Sequence, residues 1–244
     1  MTDAEEEKKR DFLSARGKLA ASLAGKTLDD ALSAAERLPA HQAVRALLSS
    51  LCHPEPLVKW RAVSALGMVA ARVAGKEMEK GRTVMRRLMW SLNEESGGFG
   101  WGAPEAMAEI MAVHEGLAEE YAPILISYLR PGACRLDHPA LQRGLLWGIC
   151  RLARTRTDLL EQWGAPALLL PYLDSPDPET RGLAAHALGI LGVAAAKKQI
   201  AALKDDPASI LVYDRGELLA TTVGKEAAAA IAALPGEISA TAAK

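Results

Sequence analysis

One pattern in the sequence recurs four times, and few folds can accommodate it. Segments Leu47–Ala70, Leu88–Ala112 and Leu169–Gly192 align directly, and another starting at Leu125 joins them after a short insertion around Pro131 to Leu136. Each opens with two leucines four apart: Leu47 and Leu51, Leu88 and Leu92, Leu125 and Leu129, Leu169 and Leu173. That spacing puts both on one helix face. A turn rich in Pro, Gly, Asp or Asn follows, and then a second apolar stripe. The stripe reads Ala62, Ala65, Leu66 and Val69 in the first segment, and Ala103, Ala106, Met107 and Ile110 in the second. It continues as Leu146, Ile149, Cys150 and Ala153, then Ala184, Ala187, Leu188 and Leu191. These offsets trace one side of an α-helix. Pro56, Pro139 and Pro178 fall where second helices begin, and proline fits the first helical turn because its missing N–H has no partner there. Asp177 precedes Pro178 as an N-cap. A unit of this size cannot bury its stripe alone, so the units must stack.

Composition agrees with an all-α chain. Alanine and leucine dominate, β-branched residues are sparse and aromatic residues make up 5%. Half of the residues are apolar, 24% are charged and the formal net charge is −1. That excludes a disordered chain and a protein whose whole surface grips nucleic acid. The charged stretch Met1 to Arg10 has no apolar run and no segment is long enough to span a bilayer, so a soluble, cytoplasmic protein is expected. Cys52, Cys134 and Cys150 form no Cys-x-x-Cys pair, so neither a disulfide framework nor a cysteine zinc site is expected.

The ends differ from the middle. Glu5 to Leu23 reads as an amphipathic helix and Thr27 with Asp30 as a helix start, so residues 1–42 are expected to cap the first repeat. The repeats occupy residues 43–207. Residues 208–234 read as two short strands about Asp214-Arg215-Gly216, in place of the turn of a fifth helix pair, followed by an alanine-rich capping helix. Residues 235–244 read as a frayed tail.

The Leu-x-x-x-Leu, Asp-Pro, Ala-x-x-Ala-Leu-Gly-x-Leu pattern resembles the HEAT repeat, and within it the PBS-lyase HEAT-like repeats, over roughly Ala43 to Pro207. The best match is the run from Asp174 to Gly189. The resemblance implies an α-solenoid of about five helix pairs whose second helices line a concave side. Its motif residues are packing residues, so it says much about fold and little about function. Relatives of that build include bilin lyases, which handle a tetrapyrrole, and alkylpurine DNA glycosylases, which use a basic concave face. The His114-Glu115 pair is similar to the iron-binding pairs of HEAT-like deoxyhypusine hydroxylases, but those enzymes need several pairs and this chain has one. A solvated pair at a helix end is the plainer expectation.

No other motif carries chemistry. Gly97-Gly98-Phe99-Gly100 is glycine-rich, but no strand precedes it and no Gly-Lys-Ser/Thr follows. The arginines at 82, 86 and 87 and at 151, 154 and 156 form basic helix turns that acidic residues balance overall. No catalytic residue, metal site or cofactor is expected.

A sharper expectation comes from the positions opposite the core stripe. They read Trp60, Ser64, Gly67, Ala71; Trp101, Glu105, Ala108, Ala112; Gly144, Gly148, Arg151, Thr155; and Gly182, His186, Gly189, Val193. Lys, Glu and Gln would suit a solvated helix face better than Gly, by up to about 1 kcal/mol each. Small residues let another backbone approach; equally, they relieve crowding in a tightly curled solenoid. The first alternative makes Trp60, Trp101, Glu105, Arg151 and His186, with Glu94, Glu95 and Phe99 of the adjoining loop, one partner-binding surface. The expected function is a non-enzymatic scaffold or assembly factor that takes a protein or peptide in its concave groove. A cofactor-handling protein similar to bilin lyases is the alternative, with nucleic-acid binding third.

Overall fold

A computed structural model describes residues 16–92, 100–132 and 135–235. The chain is a succession of helices stacked in two layers. After α1 (described from residue 16 to 23) come α2 (Leu28–Arg37), α3 (Ala40–Ser50), α4 (Pro56–Lys76), α5 (Met78–Leu92) and α6 (Ala103–Val113). There follow α7 (Glu115–Ser127), α8 (Pro139–Ala153), α9 (Thr157–Gln162), α10 (Ala165–Leu169), a 3-10 turn (Leu170–Asp174) and α11 (Pro178–Ile190). The chain ends with α12 (Lys197–Ala202), β1 (Ser209–Asp214), β2 (Glu217–Thr222) and α13 (Val223–Ala233). Helices α4, α6, α8, α11 and α13 stack in that order as an inner layer, with α3, α5, α7, α10 and α12 outside.

The repeat register reads directly as burial. All sixteen stripe residues from Ala62 to Leu191 are buried. So are the paired leucines, except Leu92, which packs against the core while partly exposed. One continuous apolar core runs from Leu19 to Leu234. Pro56, Pro139 and Pro178 open α4, α8 and α11, and the Asp177 carboxylate accepts the Thr180 backbone N–H. Thr27 caps α2 through the Asp30 N–H. His114 accepts the Leu117 N–H to cap α7, which is a structural use for the His-Glu pair.

The inner-face glycines mostly serve this stacking. A Cβ on Gly67 would strike Glu109, one on Gly148 would strike Ala108, and one on Gly189 would lie 2.5 Å from the Ala230 Cα. Gly144 likewise makes room for the Glu105 carboxylate. Gly182 is the exception, since its missing side chain is replaced by Ile210 of β1.

The two strands form an antiparallel hairpin with Tyr213 opposite Leu218 and Asp214 opposite Glu217. Arg215 and Gly216 make the two-residue turn with φ values of 46° and 94°. Positive φ at both positions is the turn whose twist suits a hairpin. The hairpin takes the place of the turn between α12 and α13 and lies against the inner layer.

Candidate functional site

The inner face is occupied by the protein's own hairpin. In an antiparallel pair, alternate residues turn their N–H and C=O away from the partner strand. On β1 these are Leu211 and Tyr213. The Leu211 N–H reaches Glu179 Oε1 of α11 at 3.4 Å, and the Tyr213 carbonyl accepts the Trp147 indole N–H of α8 at 2.9 Å. Side chains complete the seat. The Tyr213 ring stacks on Trp60 at 5.0 Å with planes 9° apart, and Trp147 lies 4.7 Å from Trp60. The Tyr213 hydroxyl is 2.9 Å from Ser64 Oγ. Burial pushes the Tyr213 phenol up from its ordinary value, so it stays neutral across the physiological range.

Arg61 ties the hairpin tip to the other end of the chain. Only 4% exposed, it donates to the carbonyls of Leu23, Gly25 and Lys26 and, through Nε, to that of Gly216. The Leu23 carbonyl lies at the end of α1, where the helix dipole favours a cation, and those of Gly25 and Lys26 lie in the turn that follows. Gly216 also rests on Leu28 of α2, so the hairpin bridges the last repeat to the first.

Beside the hairpin lies a cavity of about 380 Å³, walled by Leu28, Leu32, Met68, Val113, Val212 and a band of charged groups. Arg151 is bound to Glu109 through two contacts of 2.7 and 3.2 Å. Arg154 reaches Asp214 at 3.3 Å and His186 Nε2 at 3.0 Å. His186 Nδ1 lies 2.6 Å from Glu226 of α13. Because a guanidinium only donates, Nε2 is the acceptor and Nδ1 carries the proton toward Glu226. The hydrogen bond from His186 holds the Glu226 carboxyl below its ordinary value, against the opposing effect of burial.

The structure thus groups some of the sequence-derived site residues and separates others. Trp60 joins the ring cluster under the hairpin, while Arg151 and His186 line the cavity beside it. Glu105 is 1% exposed, holds Lys59 Nζ at 2.7 Å, and leaves Oε2 without a partner among the described residues. Trp101 sits in the turn before α6, edge-on to His138 at 4.8 Å. Glu94, Glu95 and Phe99 lie outside the described residues. Sequence reasoning missed Tyr213, Trp147, Glu179 and Arg61. Their grouping joins residues up to 155 positions apart, and no local pattern marks it.

The thiols and basic turns are quiet. Cys150 is buried, donates to the Leu183 carbonyl and is pushed up to about 12 by that burial, while Cys52 is exposed. Arg82 pairs with Glu79 and Glu120, and Arg86 with Glu79. Among the described residues no group of three or more His, Cys, Asp or Glu could hold a metal ion, and no helix is long and apolar enough to cross a membrane.

No protein-family model matches the chain. An uncharacterized protein of Archaeoglobus fulgidus is 36% identical over 83 residues, a stretch covering 32% of this chain and 42% of that protein. The chain therefore spans less than half the length of this relative. Solved structures give the fold. A computationally designed armadillo repeat protein for modular peptide recognition superposes with a TM-score of 0.52 at 19% identity, covering 93% of this chain and 94% of the other. An engineered protein from a structural genomics programme gives 0.57 at 19% identity, over 96% and 98%. A designed armadillo repeat protein in complex with the peptide (KR)4 gives 0.51 at 18%, over 89% and 98%. At such identities the likeness is one of architecture: the chain is an α-solenoid of armadillo-like helical repeats with a small hairpin near its C-terminus.

Proposed function

We propose that this protein is a non-enzymatic, cytoplasmic scaffold or assembly factor of HEAT-like build, and that it binds a protein or peptide segment along the inner face of its solenoid. One observation carries the reading. The inner face already seats an extended strand, meeting its main chain with Glu179 and Trp147 and its side chains with Gly182, Trp60 and Ser64. A surface that satisfies outward main-chain groups of a strand and pockets some of its side chains is how extended peptides are recognised. The (KR)4 complex of a designed armadillo repeat protein is consistent with this use of the architecture. In this reading residues 1–42 cap the stack, 43–207 form the face, and 208–234 close it. Trp60, Arg151 and His186 contact the partner. Glu105 fixes Lys59 beside them, and Trp101, with Glu94, Glu95 and Phe99, adds a further contact.

Selection from a displayed random-peptide library against the full chain tests the reading. Enriched peptides should bind at least about tenfold more weakly to Trp60→Ala protein that retains its helical circular dichroism, as expected for loss of an aromatic anchor. Failure to enrich any peptide, or binding indifferent to Trp60, would overturn it.

A further inference from the structure

Every contact that the inner face makes with β1 is one that a separate chain could make. The main-chain contacts, at Leu211 and Tyr213, read no sequence and need only an extended backbone. The side-chain contacts do read sequence. At Gly182 the floor leaves a notch that Ile210 fills, since a Cβ there would stand 2.7 Å from Ile210 Cδ1. The slot between Trp60 and Trp147 takes a flat ring, and Ser64 at its end meets a phenolic hydroxyl at 2.9 Å. Next along the strand, Arg154 meets the carboxylate of Asp214. The strand β2 takes little part in this. Its Leu219 is 47% exposed, and Glu217 and Ala220 are exposed with it. A two-stranded hairpin alone in water is marginal, so the hairpin depends on the inner face to stay in place.

Resting on the binding reading above, we infer that the partner is an extended peptide with an aliphatic residue, one unselected position, a second apolar residue, a tyrosine and an acidic residue, in the order of Ile210 to Asp214, and that the hairpin is a resident occupant which this partner displaces. The hairpin is tethered at both ends, so it competes as an intramolecular ligand at high effective concentration. Partner binding is weakened by the fraction of molecules in which the groove is vacant. The selectivity for tyrosine over phenylalanine comes from Ser64, and that for an acidic residue from Arg154.

The test uses a fluorescein-labelled peptide of residues Pro207–Gly216 and the full-length protein, read by fluorescence anisotropy. Tyr213→Ala protein should bind the peptide at least about tenfold more tightly than wild type, because its resident strand has lost its anchor. Adding Trp60→Ala should remove that gain, and a peptide with alanine in the tyrosine position should not bind. Asp214→Arg sits at an exposed pair and repels Arg154, so it should raise affinity about two- to threefold without touching the core. A folded Tyr213→Ala protein with no gain overturns the inference, as does a gain that survives Trp60→Ala. If Tyr213→Ala protein lacks helical circular dichroism, Asp214→Arg decides: no gain there overturns the inference. Library peptides that need Trp60 while the hairpin peptide gains nothing would leave the binding function standing and remove only this inference.

Discussion

The hold on the strand has an aromatic end, at Tyr213, and an ionic end, one residue on at Asp214, and the two work by different physics. At Tyr213, Trp60, Trp147 and the phenol ring enclose one another, and Tyr213 is 4% exposed. From Asp214 a charged chain runs back across the inner helices: Asp214 to Arg154 at the end of α8, Arg154 to His186, His186 to Glu226, with the Arg154 side chain 46% exposed. Ring burial removes apolar area from water and changes little with salt or pH. Half-exposed ion pairs contribute little energy and respond to both. The aromatic end therefore sets how tightly the strand is held, and the ionic end sets its direction and its sensitivity to conditions.

The largest effect should come from breaking the aromatic end. Trp60→Ala should lower stability by about 2–3 kcal/mol, since a partly buried ring at the centre of a cluster loses most of what a core aromatic loses. For a chain of this size that is a fall of about 5–10 °C in melting temperature, measurable by calorimetry and equal at low and high salt. Trp147→Phe keeps a ring but removes the donor to the Tyr213 carbonyl. It should cost about 1.5 kcal/mol in urea unfolding, the price of a buried acceptor left unmet. Trp101→Ala, which removes only the edge contact with His138 in a turn, should cost about 1 kcal/mol. An equal or larger loss at Trp101 than at Trp60 would place the important aromatic outside the groove and undo the comparison.

The contrast between Trp60 and Trp101 also marks how far the sequence could be read. Both lie two residues before a first core alanine, at Ala62 and Ala103. The repeat register puts every stripe residue inside because burial depends only on helical phase, and phase is local. The surroundings of a surface residue depend on where its helix starts. Helix α4 starts at Pro56, so Trp60 is already in the helix; α6 starts at Ala103, after Gly102 at φ 76°, so Trp101 is still in the turn. The hairpin was legible from its strand residues and Gly216, as was its site between α12 and α13. Its destination was not. The residues that receive Tyr213 come from two helices far apart in the chain, α4 and α8, and Trp147, beside the core position Leu146, reads in the sequence like one more core side chain. The small-residue row shows the same limit. Composition reveals that something approaches closely, but Gly67, Gly144, Gly148 and Gly189 admit neighbouring inner helices or their side chains, and Gly182 alone admits the hairpin.

The ionic end yields the smallest effect and the one that most sharpens the comparison. Glu226 is held below its ordinary 4.5 by the hydrogen bond from His186. An unfolded chain lacks that bond, so folding favours the ionised carboxylate. The stabilisation is complete above the unfolded value and is lost as pH falls through the lower folded one. Glu226→Gln should therefore cost about 0.5–1 kcal/mol at pH 7, and its deficit relative to wild type should shrink as the pH drops below 4.5. The amide oxygen can still accept from His186 Nδ1, and Arg154 still donates to Nε2, so the tautomer is kept and only the carboxylate charge is lost. Urea unfolding of wild type, Glu226→Gln and Trp60→Ala proteins across pH 3–7 separates the two grips. The Trp60→Ala deficit should stay constant over the range, while the Glu226→Gln deficit should close toward acid. Parallel behaviour of the two would mean that the ends act as one unit, and that the charge chain through His186 is part of the aromatic seat.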